Sequence, residues 1–116
     1  MLRPSNMHDV PESDWKVFRE LQRHALERFC KRALDEVQTI LRDGARSHHN
    51  RYLDVFRLLR TRDDELARAF NDPRRSRMII QLAAIHAHGL LEPRELERFT
   101  ERTRATIESL AREFTR

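Results

Sequence analysis

From Ser13 to Gly44 the chain runs without proline or an interior glycine, and its apolar residues return at steps of three and four. Trp15, Phe18, Leu26, Phe29, Ala33, Val37 and Ile40 form one stripe, which Leu21, Ala25, Leu34 and Leu41 widen. That period belongs to a helix burying a broad face. Ser13 offers a capping hydroxyl, Asp14 a negative charge in the first turn, and Gly44 a residue free to close the helix in the left-handed conformation. On the polar side Glu27 with Lys31, and Arg32 with Glu36, stand four apart, as stabilising ion pairs on a helix do. At about 1.5 Å per residue the helix would be roughly 45 Å long. A compact chain of this size is only about 30–35 Å across. Such a rod protrudes, packs against a partner, or organises an elongated bundle.

A second helical period covers 48–71, following Ser47, with Tyr52, Val55, Phe56, Leu59, Leu66 and Phe70 on the apolar side. Asp63 stands where the next apolar residue is due, which marks Thr61–Asp64 as a place for a bend. Asn71-Asp72-Pro73 stops this helix and starts another, with Asp72 as cap and Pro73 at the first helical position. The third helix carries Met78, Ile79, Leu82, Ala83, Ile85 and Ala87 and ends at Gly89. Glu92-Pro93 opens a short fourth segment with Leu96 and Phe99, and Thr100 caps a last helix bearing Ile107, Leu110 and Phe114. Residues 1–12, punctuated by Pro4, Ser5, Asn6 and Pro11, show no period and read as a flexible N-terminus. The pattern predicts an all-α fold, an antiparallel bundle of four to five helices with a long first helix, in one domain over 13–116.

Two stretches resemble known proteins. Leu82-Ala83-Ala84-Ile85-His86-Ala87-His88-Gly89-Leu90-Leu91-Glu92-Pro93-Arg94-Glu95-Leu96-Glu97-Arg98-Phe99 resembles the short C-terminal helical hairpin (SHOCT) of many bacterial proteins. The likeness extends over 78–110 and departs from the family at Glu95-Leu96, where Glu-Phe is usual, and in the helix after Thr100. It implies oligomerisation or partner contact. Asp14-Trp15-Lys16-Val17-Phe18-Arg19-Glu20-Leu21 and Ala25-Leu26-Glu27-Arg28-Phe29-Cys30 resemble a group of small uncharacterised proteobacterial helical proteins, and that likeness implies no function.

Composition narrows the picture further. With 36% charged residues, two glycines and four prolines in 116 residues, the chain suits helices better than sheets. Its 39% apolar content is too high for a disordered chain. No apolar run approaches 18 residues and the N-terminus lacks a secretory segment, so a cytoplasmic protein with no membrane span is expected. Cys30 is the only cysteine and gives neither a disulfide nor a metal pattern.

The net charge of +4 is thinly spread, and only Lys16 and Lys31 among the 23 basic residues are lysines. One cluster stands out, Arg74, Arg75 and Arg77, which the pattern places in the first turn of a helix. Free backbone N–H groups and three guanidinium groups there would hold phosphate or carboxylate. A solvated or internally paired face is the plainer use of such a run. Nucleic-acid binding through this cluster is the rival reading, favoured by a pI near 10.2 and opposed by acids on nearly every helix.

Other chemistry is poorly supported. His48-His49 and His86-x-His88 have the wrong spacing for a helical metal pair, which uses i,i+3 or i,i+4. Asp63-Asp64-Glu65 fans around a helix and cannot converge on one reacting atom. No phosphate loop or nucleophile motif is present. The reading is a non-enzymatic module without metal or cofactor, acting by burial of apolar surface against another protein or as a homodimer. Trp15, Phe18, Ile40 and Leu41, at the ends of the long helix, and the Leu90-Leu91 corner are the candidate contact residues, with intrachain core as the competing use of each.

Overall fold

The computed structural model describes residues 10–114; the reading of 1–12 as flexible therefore lies almost wholly outside the described residues. Five α-helices follow in order: α1 (Glu12–Arg42), α2 (His48–Phe70), α3 (Met78–Ala87), α4 (Pro93–Leu96) and α5 (Glu101–Phe114). The 31 residues of α1 are continuous. Pro11 rather than Ser13 precedes the helix, and its carbonyl accepts from the Trp15 N–H at 3.1 Å. Gly44 does not take a left-handed cap; the α1–α2 loop is instead braced by Asp43, whose Oδ1 accepts from the Ala45 N–H at 3.2 Å.

Ser47 caps α2 through its hydroxyl, which accepts from the Asn50 N–H at 3.0 Å, and α2 runs unbroken through Thr61–Asp64. The expected start of the third helix is displaced. Asp72 has φ 52°, a left-handed conformation that an Asp tolerates and a cap does not use. A 3-10 turn over Arg75–Arg77 follows, and α3 begins only at Met78. Gly89, with φ 70°, ends the turn after α3. Glu92 and Glu95 form a capping box around Pro93 at the first turn of α4.

The core sits at one end of the molecule. Phe18, Leu21, Ala25 and Phe29 of α1 meet Phe70, Met78, Ile79, Leu82, Ile85, Leu90, Phe99 and Ile107. We call this end, with α3 to α5, the head. Three of its polar ties run to one side of α1, through Asp14, Arg28 and Arg32. Asp14 is 1% exposed, and its carboxylate accepts from the Thr100 N–H at 2.9 Å, the Thr100 hydroxyl at 2.8 Å and the Thr103 hydroxyl at 2.6 Å. Arg28 donates to both oxygens of Glu95 at 2.6 and 2.9 Å and to the Leu90 carbonyl at 2.8 Å. Arg32 donates to the His88 carbonyl at 2.6 Å. Asp14, Phe18, Leu21, Ala25, Arg28 and Arg32 follow helical steps, so the head covers one face of α1 and stops where that face runs out.

Beyond it only α2 packs on α1. From residue 34 to residue 68 not one side chain is buried, although the stretch spans most of a two-helix hairpin. This arm gives the molecule its extent of 64 × 26 × 25 Å. No described helix is long and apolar enough to cross a membrane.

Candidate interaction surface

The arm is held as a fixed pair of helices. Arg62 of α2 donates from Nε and Nη2 to the two oxygens of Glu36 on α1, both at 2.9 Å, and from Nη1 to Glu65 on its own helix. This fork raises the pKa of Arg62 through its hydrogen bonds to Glu36 and Glu65. The Arg62 hydrogen bond in turn holds the Glu36 carboxyl below the usual carboxylate range. Nearer the tip, Arg51 donates to the Leu41 carbonyl at 2.7 Å, satisfying an open acceptor in the last turn of α1. Arg46 pairs with Asp54 at 2.7 Å across the connecting loop.

These polar contacts join the helices to one another and leave an apolar surface uncovered. Leu34 and Leu41 of α1 are 61% and 55% exposed; Tyr52, Phe56 and Leu59 of α2 are 69%, 55% and 43% exposed. Leu34 and Leu41 stand seven apart, and Tyr52, Phe56 and Leu59 follow steps of four and three. Each set therefore occupies one stripe of its helix, at heptad spacing. The two stripes face the same way, because Leu34, Phe56 and Leu59 line one groove together with Cys30 and Leu66. On α1 this stripe is about 200° around from Arg32, which holds the head, so the head leaves it open. Ile80 of α3 and Phe114 of α5 are also open, one on each helix. A surface of this kind offers burial of apolar area from a preformed frame.

The candidates drawn from sequence divide sharply. Leu41 lies on this surface. Ile40, its neighbour, is half-buried. Phe18 and Leu90, at 0% and 1% exposure, are core residues and offer nothing to a partner, because α3 to α5 fold back over the first half of α1. Trp15 is half-buried and stacks on Phe18 with centroids 5.7 Å apart; Leu91 packs half-buried against the same core. In the sequence, Leu34, Tyr52, Phe56 and Leu59 are ordinary members of helical stripes. The missed signal is a count: α1 and α2 carry more apolar positions over 30–66 than one seam between them accommodates.

The arginine cluster is already engaged. Arg74 pairs with Asp72 at 2.5 Å, Arg77 with the same carboxylate at 3.6 Å, and Arg75 with Glu12 at 2.6 Å. Its hydrogen bond to Arg74 also holds Asp72 below its ordinary pKa. The cluster sits in and just before the 3-10 turn ahead of α3, not in the first turn of an α-helix as the sequence pattern placed it.

The histidines are scattered. His88 lies edge-on to Phe29 and 3.9 Å from Glu65, and no group of three His, Cys, Asp or Glu among the described residues is placed to hold a metal ion. Cys30, half-buried, lines the groove of the arm.

No protein family, curated protein or solved structure matches this chain. The functional reading therefore rests on the arm itself.

Proposed function

We propose that this protein is a non-enzymatic interaction module that associates with a second copy of itself through the apolar face of the α1–α2 arm. The observation that carries the reading is the exposure of Leu34, Leu41, Tyr52, Phe56 and Leu59 on one face of a hairpin that has no buried residue from 34 to 68. Two arms laid face to face form an antiparallel four-helix bundle and give those side chains the core they lack.

A second copy fits this surface better than a strongly charged partner. Around the stripes stand Lys31, Arg42, Arg57 and Arg60 together with Asp35, Asp63 and Asp64, a mixture of both signs. A polyanion or an acidic peptide selects a surface of one sign. The face is about 20 Å long and two helices, or about 20 Å, wide. Paired with itself it hides on the order of 1,000 Å² in all, the small end of specific interfaces, which corresponds to a dimer that exchanges. The likeness of 78–110 to short helical hairpins of oligomerising proteins adds support for a contact role. The reading includes a cytoplasmic setting, supported by the single free thiol of Cys30, which a reducing compartment preserves.

Multi-angle light scattering over a range of protein concentrations tests it. The mass should climb from the 14.0 kDa of one chain towards twice that value. A mass that stays at one chain into the hundreds of micromolar refutes the reading.

A further inference from the structure

The face of the arm is uneven along its length. At its root, Cys30 and Leu34 of α1 and Phe56, Leu59 and Leu66 of α2 border a groove of about 560 Å³. Towards its tip the same two stripes carry Leu41 and Tyr52, 55% and 69% exposed and outside the lining of that groove. Cys30 and Leu41 are eleven residues apart on a straight helix, so hollow and projections are separated by about 16 Å along the arm.

Resting on the self-association read above, we propose that the two copies join head to tail, about a two-fold axis perpendicular to the arms, with Leu41 and Tyr52 of each copy seated in the root groove of the other. The alternative axis runs along the arms. It sets groove against groove and projection against projection, leaving two apolar hollows unfilled while the tips hold the helices apart. Unfilled apolar volume is destabilising, because its lining loses partner atoms without gaining solvent. The perpendicular axis matches shape to shape twice. It also suits Tyr52: the ring enters an apolar hollow while the hydroxyl stays near Arg60 and Asp63, which line the same groove. The heads then lie at opposite ends of the assembly, each on the far side of its own α1.

Cys30, the only thiol in the chain, makes the orientation measurable. A disulfide needs Cα atoms within about 7 Å. In the head-to-tail dimer position 30 faces position 41 of the other copy, whereas the two Cys30 residues are about 16 Å apart. Three proteins are compared under mild oxidation and with a short bis-maleimide: the native chain, Leu41→Cys, and Leu41→Cys combined with Cys30→Ser. Light scattering beforehand confirms that each is a dimer. Arg42→Cys, one residue along and off the stripe, replaces Leu41→Cys if the latter weakens association. The expected result is a covalent dimer that forms at least tenfold faster in the protein with both cysteines, with the 30–41 linkage found by peptide mapping. Linking of native Cys30 to its own equivalent at a comparable rate overturns the orientation and favours the axis along the arms. A non-covalent dimer that links in none of the three proteins also overturns it, since positions 30 and 41 are then not opposed. A single-chain mass before oxidant is added refutes the self-association reading itself, and the orientation with it.

Discussion

Leu34→Ala isolates the apolar face from the rest of the molecule. The substitution removes three carbons, each worth about 0.8 kcal/mol when fully buried. In the single chain 61% of Leu34 is open, so covering it in a dimer contributes about 1.5 kcal/mol per copy from those carbons. Two copies lose about 3 kcal/mol, which is a rise in Kd of roughly 100-fold. The single chain should hardly notice, because alanine is the better helix former and most of the Leu34 side chain already faces open space. Sedimentation velocity at a series of concentrations gives Kd, and circular dichroism at a concentration where both proteins are monomeric gives the melting temperature. A 100-fold weaker dimer with an unchanged monomer melting temperature is expected. An unchanged Kd refutes the reasoning, and a large fall in monomer stability shows that Leu34 packs within its own chain after all.

Asp14→Ala should destabilise the head by about 3 kcal/mol, since it strands the buried Thr103 hydroxyl at about 1–3 kcal/mol and removes the two partly buried hydrogen bonds from Thr100; chemical denaturation measures this, and a loss under 1 kcal/mol would contradict it. Gly89→Ala should cost about 1 kcal/mol in the same assay, purely from its left-handed backbone, because nothing lies within 4 Å of where the new Cβ would sit. Glu95 and Glu36 are held below the ordinary carboxylate range chiefly by the hydrogen bonds from Arg28 and Arg62. A depressed folded-state pKa gives stability that is complete above the unfolded value of about 4.3 and is lost as pH falls through the folded one. Stability should therefore be level above pH 5 and decline below about pH 4.3, and Glu95→Gln should flatten part of that decline; a mutant with the native slope would refute the assignment.

Much of the fold was legible because it follows from local chemistry. Ser47, Gly89, Glu92-Pro93 and Thr100 each mark a helix end by a capping or backbone property of their own, and each lies where such an end occurs. Asp72-Pro73 failed by the same logic. Asp72 is drawn into a left-handed turn and pairs with Arg74 and Arg77, so the helix starts six residues after it. The length of α1 was readable from the absence of breakers, and with it the excess of rod over core. Which side chains the excess leaves bare was not readable, because a periodic apolar residue looks the same whether its own chain or another covers it. Phe18 and Leu90 are covered by a head whose docking depends on contacts across the length of the chain. Asp14 shows the same limit: as a first-turn acid it was unremarkable, and its partners lie 86 and 89 residues away.

That separation has a consequence for the growing polypeptide. The hairpin is built from neighbouring stretches and has all its parts once Phe70 has been added, while the carboxylate at position 14 must wait for the two threonines at 100 and 103. During synthesis the sticky arm is thus available before the globular end is closed. If copies associate through the arm as proposed, nascent chains on one messenger meet by their arms first, and a product cut short ahead of Thr100 keeps that surface while its other end stays open.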